Sequence, residues 1–298
     1  MQDPPTRPRV VVITGASSGI GRASALSFAT TGAHLVLSAR SRPALETVAT
    51  ACRERGARVE VIPADLARPE TLDAIEETAV REFGRIDVWV DTAAVMAYGR
   101  FEDVPADVFE QVVRTDLLGA AAVARVALRR FRAQRRGTLI FGGSLLGTIA
   151  TPYTSAYITS KWGLRGLVRV LQLETRDARD IHVSLVAPGA VDTPIYRNAA
   201  NFAGRIGRPP PPVDSPAKVA RAIVRCADHP RPVVTVGATS RLIRFGFVAT
   251  PRLYDALVGP LMRFAGLSRE RVAPHNGNVF ESASAEEVRQ GRASRPQT

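Results

Sequence analysis

Val10-Val11-Val12-Ile13-Thr14-Gly15-Ala16-Ser17-Ser18-Gly19-Ile20-Gly21 is the stretch whose reading decides the fold. The β-branched run from Val10 to Ile13 reads as a fully buried strand, and a glycine turn and a helical pattern through Phe28 follow it at once. Glycines at 15, 19 and 21 let the backbone turn tightly and approach a pyrophosphate closely. The unpaired N–H groups opening the next helix then meet the negative charge. The spacing is Gly-x-x-x-Gly-x-Gly, not the commoner Gly-x-Gly-x-x-Gly, so its place between strand and helix is what favours a dinucleotide as the ligand.

Outward from this turn the chain alternates. Strands are expected at 34–39, 58–63, 86–90, 138–141, 181–186 and 232–236, with helices at about 43–55, 69–83, 107–136, 154–174 and 216–227. Such alternation predicts an α/β fold, a Rossmann-type doubly wound parallel sheet. Beyond Val236 the composition shifts. Leu253, Leu257 and Leu261 with Tyr254, Val258 and Met262 keep helical spacing after Pro251, predicting an amphipathic helix. That helix is expected to pack on the domain, with a substrate cap, an oligomer arm or a membrane-surface helix as alternatives. The domain reading is therefore 1–240 for the dinucleotide-binding domain with its catalytic site, 241–267 for a helical extension and 268–298 for a disordered tail.

The second strand ends in Ser38-Ala39-Arg40-Ser41-Arg42, where a dinucleotide fold reads the adenine ribose. An acid there accepts from a 2′-hydroxyl, whereas an arginine accommodates a 2′-phosphate. With no acid and with Arg40 in place, NADP(H) is favoured and NAD is the second choice. Arginine supplies 38 of the 298 residues, so the missing acid weighs as much as Arg40 itself. Asp65, just past the third strand, is a candidate acceptor for the adenine amino group or a helix N-cap.

Tyr157 and Lys161 lie four apart in a segment expected to be helical, so they share one face. A phenol ordinarily titrates near ~10, and a neighbouring cation favours the phenolate, which suits a group that exchanges protons near neutral pH. Tyr-x-x-x-Lys is also common on amphipathic helices, so the pair needs corroboration. Ser144 follows the small-residue turn Gly142-Gly143 at the end of the fifth strand, where a serine often just satisfies a turn.

Charge and cysteines exclude other classes. The net charge of +12 invites nucleic-acid binding, but the arginines are scattered and no basic run is interleaved with aromatics, so no specific nucleic-acid partner is expected. Weak attraction to an anionic membrane surface remains an alternative. Cys52 and Cys226 sit in helix-like contexts and argue against a disulfide framework. Neither a signal peptide nor an apolar run of the ~18 residues a membrane span requires is present, so a cytoplasmic location is expected.

Thr14 to Gly21, Asp65, Ser144, Tyr157-x-x-x-Lys161 and Pro188-Gly189, in this order, resemble the short-chain dehydrogenase/reductase family. The resemblance covers about residues 9–237. It implies one Rossmann domain with a seven-stranded parallel sheet, a nicotinamide cofactor, metal-free hydride transfer, and homodimers or homotetramers built on helices near 107–136 and 154–174. It further implies Tyr157 as general acid or base, Lys161 holding the nicotinamide ribose and depressing the tyrosine pKa, and Ser144 hydrogen-bonded to the reacting substrate oxygen. Gly15, Ser17, Gly19, Ile20 and Gly21 would line the phosphates, and Ala93 would lie at the fourth-strand edge beside the cofactor. Pro188, Gly189, Val191 and Thr193 would close the nicotinamide end, the last two orienting the carboxamide.

Two departures stand out. Asp91-Thr92-Ala93-Ala94 replaces the family's Asn-Asn-Ala-Gly, and Asp116 replaces an asparagine. An ionised Asp116 near Lys161 would favour the lysine cation yet oppose phenolate formation at Tyr157. The sequence therefore points to an oxidoreductase interconverting a small, apolar carbonyl compound and its alcohol. Loop 195–213, the helix near 252–264 and apolar Met96, Leu145, Leu146, Ile195 and Phe202 would shape its pocket. The competing reading is a dinucleotide-binding regulatory or scaffolding protein without turnover, which intact Ser144, Tyr157 and Lys161 oppose.

Overall fold

The computed structural model describes residues 7–282. Seven strands carry the domain: β1 (Val10–Thr14), β2 (His34–Ala39), β3 (Val59–Pro63), β4 (Val88–Asp91), β5 (Gly137–Gly142), β6 (Ile181–Pro188) and β7 (Val233–Val236). They hydrogen-bond in the order β3-β2-β1-β4-β5-β6-β7, and every pairing is parallel. Because chain order reverses beside β1, the carboxyl ends of β1 and β4 open a crevice, the place where this topology binds ligands.

Apolar residues bury both faces of the sheet. On one face α1 (Gly19–Ala29), α2 (Arg42–Arg53) and α7 (Pro216–Asp228) pack around Val11, Ile13, Leu35 and Leu37. On the other, α3 (Leu72–Phe83), α5 (Ala120–Gln134) and α6 (Ser155–Glu174) cover Val12, Val36, Trp89 and Leu139. Alternate residues of one strand therefore serve opposite cores, which is why these strands read as continuous apolar runs.

The expected long helix at 107–136 is interrupted. α4 (Ala106–Val113) passes through a π-helical turn, Arg114–Gly119, before α5 begins. That turn carries Asp116 and buries it, and wide turns of this kind are frequent at functional sites. Glycine is required at its end, because a Cβ on Gly119 would lie 2.8 Å from the Leu66 carbonyl oxygen.

The C-terminal region departs most from expectation. Besides the anticipated helix, now α9 (Pro251–Leu261), a second helix α8 (Ser240–Ala249) precedes it and packs against it as a hairpin. Arg208 ties down the end of α9, its side chain donating to the carbonyls of Ala265 at 3.0 Å and Phe264 at 2.6 Å. Residues 268–282, expected to be disordered, are ordered instead. The strand Leu267–Arg271 pairs antiparallel with Arg205–Gly207, and His275 bridges to Asn201. Val279 is wholly buried beside Val95 and Val112, so a single apolar anchor and backbone pairing fix a segment whose composition is polar. The rest of the expected tail, 283–298, lies outside the described residues.

Candidate active site

One cavity of about 700 Å³ runs over the carboxyl ends of β1, β4, β5 and β6. Its phosphate end is built by the glycine turn. Gly15 adopts φ +75°, and a Cβ there would sit 2.5 Å from the Ala93 backbone nitrogen. A Cβ on Gly21 would overlap the Gly15 carbonyl oxygen. The turn thus brings bare backbone against the fourth-strand edge, and helix α1 opens with no acid in its first turn and no side chain capping it. Its first N–H groups are left for an anion. Ser17, Gly19 and Ile20 line the same end, so the cradle fits a pyrophosphate.

The unusual Asp91-Thr92 pair is structural. The Thr14 hydroxyl donates to Asp91 Oδ1 at 2.7 Å, the Ala93 N–H donates to the same oxygen, and the Thr92 hydroxyl donates to the Thr14 carbonyl at 2.9 Å. These bonds clamp β4 to β1. Burial raises the Asp91 carboxyl above its ordinary range, against the pull of Thr14, Lys161 and the Ala93 N–H.

At the ribose end, Arg40 lines the cavity but is already engaged: it donates to the carbonyls of Asn278 at 2.6 Å and Val279 at 3.2 Å. The returning C-terminal segment is thereby strapped over the end of β2. Asp65 also lines the cavity, and its Oδ1 accepts from Ala67 N–H at 3.0 Å, two residues on. It closes a turn and caps no helix, because α3 begins only at Leu72.

Ser144, Tyr157 and Lys161 meet on the cavity floor. β5 delivers Ser144, whose hydroxyl accepts from the Leu146 N–H at 3.1 Å. α6 carries Tyr157 and Lys161 on its buried side, with the lysine Nζ 5.4 Å from the phenol ring centre and donating to the Gly142 carbonyl at 3.2 Å. The π turn brings Asp116 to the same place, its Oδ2 3.8 Å from Lys161 Nζ. Asp116 Oδ1 accepts from the Val95 N–H at 2.8 Å, while Oδ2 is buried without a hydrogen-bond partner. Burial pushes this carboxyl up to about 7, Lys161 and the Val95 N–H pulling it down and Asp91 adding to the rise. The Tyr157 phenol is held well above its ordinary value by burial first and by Asp116 second, with the Ser144 hydroxyl opposing. Asp116 thus acts on the tyrosine in the direction expected from sequence, and burial exceeds it.

Pro188, Gly189, Val191 and Thr193 line the opposite wall, and Thr193 abuts Gly19, so the loop after β6 touches the glycine turn. Among the expected pocket residues Met96, Leu145, Leu146 and Ile195 line the cavity. Phe202 does not; it packs beneath, beside Val95 and Val104.

A family model described as short chain dehydrogenase matches residues 9–203. The chain belongs to the short-chain dehydrogenase/reductase family. Like the family, this short-chain dehydrogenase/reductase is an NAD(P)-dependent enzyme of carbonyl and alcohol oxidoreduction. A Bacillus subtilis protein described as uncharacterized oxidoreductase YxnA is 33% identical over 260 residues, covering 85% of this chain and 72% of that one. The 3beta-hydroxysteroid dehydrogenase 1 of Eggerthella lenta is 34% identical over 198 residues, covering 65% and 74% respectively. Among solved structures, an alcohol dehydrogenase from the archaeon Thermococcus sibiricus complexed with 5-hydroxy-NADP superposes with a TM-score of 0.67 at 28% identity, over 77% of this chain and 95% of that one.

The structure of this dehydrogenase/reductase adds residues to the site that the sequence did not single out. Tyr98 and Tyr196 line the cavity, their phenols pushed up by burial first, Tyr98 then by Tyr196 and Tyr157 and Tyr196 by Tyr157, so three phenols face one space. Asn278 and Ser282 of the returning segment line it as well. Tyr196 falls in the loop 195–213 expected to shape the pocket, whereas Asn278 and Ser282 arrive by a long-range return of the chain that leaves no local signal. Among the described residues no three His, Cys, Asp or Glu side chains gather as a metal site, and no helix is long and apolar enough to cross a membrane.

Proposed function

We propose that this enzyme prefers NADP(H) and interconverts an apolar ketone or aldehyde with its alcohol, Tyr157 serving as the general acid and base. The observation that carries this reading is that Ser144, Tyr157 and Lys161 share one cavity with the glycine cradle. A bound nicotinamide would supply or accept the hydride. In the reducing direction Tyr157 gives its phenolic proton to the carbonyl oxygen of the substrate, while the Ser144 hydroxyl donates a hydrogen bond to the same oxygen as charge develops there. In the oxidising direction Tyr157 takes the alcohol proton. Lys161, held by the Gly142 carbonyl, lies beside the phenol and offers a donor to the nicotinamide ribose. Burial first and Asp116 second make the tyrosine harder to ionise.

NADP preference is supported by the absence of an acid at the end of β2 and by Arg40 in the cavity wall. The neighbouring alcohol dehydrogenase carries an NADP derivative. Arg40 now bonds two neutral carbonyls, and a 2′-phosphate competes well for it because it meets the guanidinium with a full opposite charge and two oxygens, where a carbonyl offers only a dipole. An apolar substrate is supported by Met96, Leu145, Ile195, Leu257 and Val258 around the cavity. Pairing of copies through α5 and α6 is supported by half-exposed Val170 and Leu173 on α6 and by Leu118 just before α5. A cytoplasmic location accords with the absence of a spanning helix among the described residues. The test is a panel of apolar ketones, aldehydes and alcohols followed at the nicotinamide absorbance band with NADPH and with NADH. Turnover favouring NADPH is expected; cofactor binding without turnover of any compound would favour the regulatory reading.

A further inference from the structure

The α8–α9 hairpin is apolar on both sides. Its inner residues Ile243, Tyr254, Val258 and Met262 line the catalytic cavity. Its outer residues Leu242, Phe245 and Val248, spaced by three along α8, are 70%, 65% and 68% exposed. Leu253, Leu257 and Leu261, spaced by four along α9, continue this surface, and Phe264 just beyond is 75% exposed. A helix apolar all round is ordinarily covered on every side, and this one is covered on one.

Charge indicates what covers the other. Arg241, Arg244, Arg252 and Arg263 are exposed on the hairpin, against the single acid Asp255 in residues 240–264. None of the four makes an ion pair among the described residues. Arg165 of α6 lies close enough to Arg244 for their charges to repel. A second copy seated here would oppose these arginines with its own. An anionic lipid surface meets both features, since arginine stems lie along apolar surface while their heads reach phosphate. Trp162, half exposed beside Phe247 and bonded to the Ile149 carbonyl, adds an aromatic of the kind that sits at the headgroup level.

We propose that the outer face of the α8–α9 hairpin docks this enzyme on an anionic bilayer, with the mouth of the catalytic cavity turned to the lipid. Leu253, Leu257 and Leu261 belong to both surfaces, lining the cavity and reaching solvent. The docking does not depend on the cofactor preference or the acid–base assignment proposed above, and its test reads binding alone.

The experiment is sedimentation of the full chain with vesicles of phosphatidylcholine, or of phosphatidylcholine with about one-third phosphatidylglycerol. Three chains are compared: the parent, a triple variant Leu242→Ser/Phe245→Ser/Phe264→Ser, and a triple variant Arg241→Gln/Arg244→Gln/Arg252→Gln. The serine variant alters exposed residues outside the cavity lining, and unchanged circular dichroism and melting verify its fold. The parent is expected to sediment with the anionic vesicles and to be released by salt. The serine variant is expected to lose at least about tenfold in partitioning, and the glutamine variant on the order of a hundredfold on anionic vesicles. A parent that stays in the supernatant with both vesicles, or a serine variant that sediments like it, overturns the proposal. So does an assembly that light scattering finds in the parent and not in the serine variant, which would give the face to a second copy.

Discussion

At the scale of single residues, Asp116 adds to burial in holding the Tyr157 phenol up. Its carboxyl, raised to about 7, changes charge near neutral pH, and its charged form opposes the phenolate. Asp116→Asn removes that opposition, so the acidic limb of kcat/KM for alcohol oxidation is expected to move down by about one pH unit. Superimposable profiles would contradict the coupling. The same carboxyl affects stability. An ordinary aspartate titrates near ~3.9 when the chain unfolds, so between about pH 4 and pH 7 the native state keeps a proton that the unfolded state has lost, and stability falls as pH rises through this window. Asparagine has no such proton, and the melting temperature of Asp116→Asn relative to the parent is expected to climb from pH 4.5 to pH 8, as calorimetry at those two values (about the ends of the window) would show. Arg40 is the second residue to test. Arg40→Ala is expected to lower kcat/KM with NADPH by about tenfold to a hundredfold and to change that with NADH little, the size of a charge-assisted hydrogen bond. Burial pushes the Cys52 thiol up to about 11, so no chemistry is expected from it.

At the scale of elements, the glycine turn and the C-terminal strap hold the two ends of the cofactor crevice. Gly277 has φ +51°, and a side chain there would run into the carbonyls of Asn198 and Ala199. Gly277→Val is expected to lower stability by about 1–3 kcal/mol, measured by denaturant unfolding. Undiminished stability would mean that the strap is not seated as described. The turn was legible from sequence because Val10–Thr14 is buried on both faces and the glycines follow it directly. The strap was not, because its few large apolar residues, Val272, Val279 and Phe280, keep no helical or strand period and Arg40 lies 238 positions away from its carbonyl partner at 278. α8 escaped notice for a similar reason: no side chain caps its start, and Gly246 interrupts its pattern. Asp116 was readable as a departure from the family, but not its burial, which needs the π turn.

At the scale of the whole molecule, a parallel sheet sets the crevice, two carboxyl-terminal returns enclose it, and α6 places Tyr157 and Lys161 at its floor. The order of chemistry-bearing residues along the chain carried the family and the fold. The closure of the cavity by α8 and the strap came from packing, while α9 was readable in the helical spacing of Leu253, Leu257 and Leu261. The central claim is that Tyr157 handles the proton and that the fold and cofactor site stand without its hydroxyl. The most direct measurement is kcat/KM of Tyr157→Phe beside its NADPH dissociation constant, with the substrate most active in the parent. The account predicts a fall of about 10²–10⁴-fold in kcat/KM with cofactor affinity retained; turnover undiminished in the variant would contradict it.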